Sequence, residues 1–116
     1  MLFRSLDYDY HCSLAVRGAW LSLDTFGSEF SFGEEREPTD EERVGHLRRL
    51  LKAGWAGQIL LSHDVCTKLQ LRRFGGKGYS HILTGIVPKL REAGVGKDTI
   101  HELLVDNPRR YLTGGR

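Results

Sequence analysis

The polar triplet Ser62-His63-Asp64 ends a short apolar run, Ile59-Leu60-Leu61. Such a run reads as a strand buried on both faces, as in a parallel sheet covered by helices. In α/β folds, ligands and catalytic groups gather where strands emerge at their carboxyl ends. A carboxylate there can ligate a metal ion or act as a general base. It can equally cap a helix or face solvent, and the residue types alone leave these readings open. His63 is adjacent, but strand neighbours point to opposite faces, so both enter one site only if the backbone turns there. A second polar emergence, Asp24-Thr25-Phe26-Gly27, follows Ala19-Trp20-Leu21-Ser22-Leu23.

Other residues with chemical potential are weaker candidates. His81 follows a glycine-rich stretch and could reach a pocket, though capping or packing explains it as well. His11, His46 and His101 fall within predicted helices with no ligand at suitable spacing, and read as surface or packing residues. Neither His-x-His nor His-Glu-x-x-His occurs, so the chain has no self-sufficient zinc motif. Gly75, Gly76, Lys77 and Gly78, with Arg72, Arg73 and Tyr79 nearby, hint at phosphate binding without the spacing of a P-loop.

The elements that must position these groups alternate. Residues 5–17 read as a helix capped by Ser5 or Asp7, with a stripe of Leu6, Tyr10 and Leu14, and closed by Gly18. A strand over 19–23 follows. Residues 27–38 lack periodicity and form a loop with Phe26, Phe30 and Phe32, aromatics that either line a pocket or pack the loop down. Thr39-Asp40-Glu41-Glu42 is a capping box for a helix reaching about residue 53, with Val44, Leu47, Leu50 and Leu51 inward. After Asp64, residues 65–80 are irregular. A helix begins near His81 and must kink or restart at Pro88. Residues 97–105 form another, and Asn107-Pro108 opens a last turn.

This alternation predicts βαβ units with two parallel strands. Two strands leave both sheet edges unpaired and one sheet face without an opposite wall. The 116 residues, 40% hydrophobic and 28% charged, suit one modest globular domain. No apolar run approaches a membrane span, and no secretory leader is visible. Two cysteines, Cys12 and Cys66, read as reduced thiols of a cytoplasmic protein. A net charge of +2, with basic pairs dispersed among apolar patterns, argues against a nucleic-acid interface.

Several stretches together resemble the phosphotriesterase family, closest to its phosphotriesterase-related subgroup. They are residues 59–64, Gly75-Gly76-Lys77-Gly78-Tyr79-Ser80-His81-Ile82-Leu83, Val87-Pro88-Lys89-Leu90-Arg91 and Asp106-Asn107-Pro108. Upstream, Leu6-Asp7-Tyr8-Asp9-Tyr10-His11, Arg17-Gly18-Ala19-Trp20 and Leu23-Asp24-Thr25-Phe26-Gly27 continue the match. The resemblance implies an α/β fold that is the C-terminal portion of a (β/α)8 TIM barrel of the amidohydrolase superfamily. Residues 19–24 and 58–63 would be strands seven and eight, and the barrel would be incomplete. It further implies a zinc-dependent hydrolase acting on ester, lactone, amide or phosphotriester bonds. Asp64 would be metal ligand and proton acceptor. Arg4, Phe26, Lys77 and Tyr79 are pocket candidates for a small-molecule substrate.

The departures are as informative. The family's remaining ligands belong to strands one to six. The strand-six His-x-Asp-Arg run here reads Met1-Leu2-Phe3-Arg4, which keeps only Arg4. The expectation is a fragment or altered reading frame, with one metal ligand left. The isolated chain should then bind zinc weakly and be catalytically inert. A second expectation is a non-catalytic fragment that acts by association, or self-associates, through exposed barrel edges.

Overall fold

The computed structural model describes residues 6–28, 31–32 and 35–114. Helix α1 (Tyr8–Val16) leads into strand β1 (Leu21–Leu23). A small antiparallel pair follows, β2 (Ser31–Phe32) and β3 (Glu35–Arg36), then helix α2 (Asp40–Lys52). Strand β4 (Ile59–Leu61) lies parallel to β1, with Leu21 opposite Ile59 and Leu23 opposite Leu61. Helices α3 (Val87–Glu92), α4 (Lys97–His101) and α5 (Asn107–Thr113) complete the chain. The predicted α/β alternation with two parallel strands is therefore present. The loop expected over 27–38 differs, since it contains the β2–β3 pair.

Local chemistry explains the boundaries. Asp7 caps α1: its Oδ1 accepts the Tyr10 N–H at 3.1 Å, and Ser5 lies outside the described residues. The helix begins at Tyr8, three residues later than the predicted start. The capping box of α2 forms as its sequence requires, with Thr39 Oγ1 accepting from Glu42 N at 3.2 Å and Glu42 Oε1 accepting from Thr39 N at 3.1 Å. Pro88 and Pro108 each follow a widened helical turn, Ile82–Ile86 and Glu102–Asp106. A proline ring clashes with the carbonyl four residues back. The widening relieves this by shifting each bond to the fifth residue: Val87 N–H donates to Ile82 O and Asn107 N–H to Glu102 O. The last turn expected at Asn107 is thus the continuation of one long helical segment, not a new start.

The core lies between the helices and one face of the β1–β4 pair. Leu21, Leu23 and Ile59 meet Leu47 and Leu50 of α2, Ile86 and Leu90 of the following segment, and Leu103. Each such side chain contributes roughly 1.5–3 kcal/mol on burial. The other sheet face carries Ser22 and Leu60, both half-buried, and among the described residues no further strand pairs with either β1 or β4. Asn107, fully buried, holds the C-terminal segment to the start of β4 by donating to Ala56 O at 2.6 Å and Ile59 O at 2.8 Å. Gln58 does the same for α1 through Ala15 O and Ala19 O. No helix among the described residues is long and apolar enough to cross a membrane.

The α1 face is a correction. Tyr10 of the predicted stripe is 45% exposed, whereas His11 and Ala15 are buried. His11 Nδ1 lies 2.7 Å from His46 Nε2 of α2, and Arg49 stacks 4.0 Å from the centre of the Tyr8 ring. Of the surface and packing readings, packing holds for these two histidines, which join α1 to α2. Burial first, then the charges of His11 and Arg49, push the His46 pKa down to about 4. A histidine with a depressed folded-state pKa stabilises the fold fully above its unfolded value of about 6.5 and loses that contribution as pH falls toward 4. The unfolding free energy should drop by about 3 kcal/mol across this window. Urea titrations at stepped pH check this, and His46→Gln should flatten the profile.

Candidate functional site

The carboxyl ends of β1 and β4 lead into the loops that frame the site. Beyond the strands, Ser62 N–H donates to Leu23 O at 3.0 Å and Phe26 N–H to Ser62 O at 3.2 Å, so the two chains stay paired as they emerge. The backbone then turns at Asp64, whose φ of 55° is the only positive value for a non-glycine among the described residues. Asp tolerates this left-handed geometry better than most residues. The turn leaves the Asp64 side chain exposed, while its carbonyl accepts from Gln70 Nε2 at 3.3 Å.

His63 is drawn inward. Its Nε2 accepts the Ile82 N–H at 3.0 Å, which places the ring proton on Nδ1. Burial, then the neighbouring His81, lowers its pKa below the ordinary histidine value, against the pull of Asp40. A neutral ring is what an acceptor role requires.

A cleft of about 260 Å³ opens between these loops, lined by Phe26, Gly27, His63, Val65, Leu69, Gln70 and residues 75–78. Two of the four predicted pocket residues, Phe26 and Lys77, line it. Phe26 is also 1% exposed and part of the core, so it forms the cleft's floor. Tyr79 does not line it and is 70% exposed. Arg4 lies outside the described residues, as does Phe30, and no side chain is described for Phe32. Asp64 stands beside the cleft without lining it.

Sequence reasoning missed the centre of the electrostatics. Asp40, read only as a first-turn residue of the capping box, is 2% exposed. It accepts from Gly27 N–H at 2.8 Å, His81 Nε2 at 2.7 Å and Arg43 Nη1 at 3.1 Å, with Lys77 Nζ at 3.5 Å. Burial opposes its ionisation, but the Gly27 amide, His81, Lys77 and Arg43 outweigh burial and hold its pKa below the ordinary carboxylate value. Arg43, itself buried, also donates to Ser28 O. One carboxylate therefore joins the loop after β1, the start of α2 and the segment leading into α3. The His81 ring sits where a Cβ at Gly85 would come within 2.6 Å of it, and one at Gly27 within 3.0 Å. Gly85 inside a helical run was the signal that an adjacent side chain needed the space.

The glycines of the glycine-rich loop do not form a phosphate cradle. Gly75, Gly76 and Gly78 N–H groups donate to Arg72 O, Leu71 O and Gln70 O. They close the loop on itself and are not aimed at a ligand. A Cβ at Gly76 would lie 2.2 Å from the Gln70 carbonyl carbon, so this glycine is needed for packing.

The metal centre implied by the resemblance requires several donors that converge on one point. Among the described residues no three His, Cys, Asp or Glu side chains converge on one point. Divalent-ion sites of this kind need three or four protein ligands. The residues present do not fit a metal ion by themselves.

Parallel strands alternating with helices, with a cleft at their carboxyl ends, define an α/β unit of the type that builds (β/α)8 barrels. The chain belongs to the phosphotriesterase family, whose family model matches residues 2–112. Among its curated relatives, the N-acetyltaurine hydrolase of Tetraodon nigroviridis is 42% identical over 103 residues, covering 85% of this chain and 30% of the relative. That of Homo sapiens is 37% identical over 112 residues, covering 93% and 32%. A resiniferatoxin-binding protein from Rhodobacter sphaeroides superposes with a TM-score of 0.86 at 37% identity, over 90% of this chain and 30% of the other. The phosphotriesterase homology protein of Escherichia coli, complexed with phosphate in its active site, gives 0.82 at 27% identity, over 94% and 36%. The chain thus spans about a third of the length of the proteins it matches.

Proposed function

We propose that this chain forms the strand-seven and strand-eight wall of a phosphotriesterase-like barrel that hydrolyses a small N-acyl amide. The observation that carries the reading is Asp64, held at a strand's carboxyl end by a left-handed turn and set beside a preformed cleft. The likeness to N-acetyltaurine hydrolases favours an amide over a lactone or phosphotriester.

The family's chemistry is metal-dependent, and zinc is the proposed ion. The single strand-end carboxylate here is one ligand, and the rest must come from strands outside the chain. The chain's own residues have definable tasks. Asp64, exposed at the strand end, accepts a proton from the attacking water. His63 pins the β4 loop to the Ile82 amide, and Asp40 with His81 fixes the β1 loop, which together set the cleft's shape.

A substrate panel tests this. The chain should be completed with strands one to six of an N-acetyltaurine hydrolase and loaded with zinc. It is expected to hydrolyse N-acyl amides faster than lactones or phosphotriesters, while the 116-residue chain alone turns over none of them. Preference for a phosphotriester would defeat the amide assignment.

Among the described residues no strand covers the outer edges of β1 and β4, which favours a second reading, in which the chain associates with another copy or with a complementary chain. Concentration-dependent sedimentation that still yields one monomeric species would remove it.

A further inference from the structure

We propose that Pro88 is a positioning residue of the cleft: the widened turn Ile82–Ile86 before it sets the register in which one helical segment holds both strand-end loops. This rests on the hydrolase reading only where activity is concerned, and the register and its contacts stand without it.

The first observation is what the amino end of this segment touches. The Ile82 N–H donates to His63 Nε2 at 3.0 Å and so holds the loop after β4. One residue earlier, His81 Nε2 lies 2.7 Å from Asp40 Oδ2, and Asp40 accepts the Gly27 N–H of the loop after β1 at 2.8 Å. Two successive residues thus reach both loops, whose Phe26, Gly27 and His63 line the cleft.

The second is what the same segment must bury. Ile82, Ile86 and Leu90 all belong to the core. In an unbroken α-helix Ile82 and Leu90 would point about 80° apart. The residue absorbed by the widened turn takes back about 100°, which brings them within about 20° of one line. Without the turn, burying Leu90 would swing Ile82 and His81 away from His63 and Asp40. Pro88 enforces it, because its ring excludes the Thr84 carbonyl four residues back and the Val87 N–H bonds to Ile82 O instead.

The third is that the His81 ring has one seat. It packs against Gly85 inside the turn and Gly27 in the loop, where an added Cβ would come within 2.6 Å and 3.0 Å of it. The fourth is recurrence. At the other end of β4, the widened turn Glu102–Asp106 precedes Pro108, and Asn107 beside it donates to Ala56 O and Ile59 O. Each end of the strand that leads to Asp64 is held from a widened turn before a proline.

The test uses NMR on the 116-residue chain. His63 should carry its proton on Nδ1 alone, and the Ile82 amide should exchange slowly. Pro88→Ala removes the ring and returns an N–H, so the turn closes to an ordinary α-helix. His63 should then lose its single Nδ1–H form, and the Ile82 amide should exchange at least about tenfold faster while that of Leu90 stays protected. Deleting the exposed Thr84 from this variant removes the surplus residue and returns both flanks to register. Both signals should recover, which a packing defect would not do on shortening. In the completed, zinc-loaded barrel, Pro88→Ala should lower turnover about tenfold or more, and the Thr84 deletion should restore it. His63→Gln is the converse test in a chain that keeps Pro88: exchange of the Val87 amide should change less than about twofold. His63 and Ile82 signals unchanged in Pro88→Ala, no recovery on deleting Thr84, or loss of Val87 protection in His63→Gln would each overturn the proposal. The NMR results holding while the completed barrel hydrolyses no amide would sink the hydrolase reading and leave this one standing.

Discussion

Asp40→Ala should destabilise the chain by roughly 3–5 kcal/mol, the cost of leaving a buried arginine without its counter-ion. Arg43 is 5% exposed and has Asp40 and the Ser28 carbonyl as its recorded partners. Removing the carboxylate strands its charge, frees the Gly27 amide and releases His81. Small domains are stable by about 5–15 kcal/mol, so roughly a fifth or more of the margin goes. Urea unfolding should show the loss as a lower midpoint with an unchanged slope. Asp40→Asn should cost less, because an amide oxygen still accepts one bond. The pH dependence has the same sign as that of His46, and its window lies lower. A carboxylate with a depressed folded-state pKa stabilises fully above its unfolded value of about 3.8 and loses that contribution only as pH falls below it. Acid should therefore act in two stages, first on the His11–His46 pair below pH 6.5 and then on Asp40 below pH 4. A midpoint unchanged by Asp40→Ala would show that the network is not structural.

The second large effect is on activity. In the completed, zinc-loaded barrel, Asp64→Asn should lower turnover by about 10²–10⁴-fold, the usual contribution of a positioned proton acceptor. The substitution is a clean one because Asn shares with Asp its tolerance for the left-handed region, here φ 55°. The turn, the His63 contact with Ile82 and the cleft should all survive, so lost activity reports the lost charge. Unfolding of the variant should stay within about 0.5 kcal/mol of the parent, as for an exposed position. Asp64→Val, by contrast, forces a β-branched residue into that region and should fail structurally as well.

How much of this the sequence carried can be judged from particular residues. The strands at 21–23 and 59–61 and the capping box at Thr39 were legible because they are local: apolar run, turn residue, reciprocal side chain. The resemblance to the phosphotriesterase family was legible because its motifs recur together, and the family match over residues 2–112 agrees. The Asp40 network was not legible. Its members lie at positions 27, 40, 43, 77 and 81, brought together only by the packing of α2 against the loop ends. A capping box gave Asp40 a sufficient local explanation and concealed the longer-range one. The His11–His46 pair, thirty-five residues apart, was hidden in the same way. His63 was discounted by strand alternation, which ceased to apply once the backbone turned at Asp64. Phe26 lines the cleft, yet its burial as core could not be read from a loop without periodicity. Tyr79 lies outside the cleft that Lys77 lines, because Gly78, with φ 71°, turns the chain between them.

As proposed, this chain is one wall of a hydrolase site whose remaining ligands lie on other strands. The most direct measurement is amide hydrolysis on mixing the purified chain with a polypeptide carrying strands one to six of an N-acetyltaurine hydrolase, in the presence of zinc. Activity should appear only when both are present and should fall with Asp64→Asn. Hydrolysis by the 116-residue chain alone, or a mixture indifferent to Asp64→Asn, would contradict it.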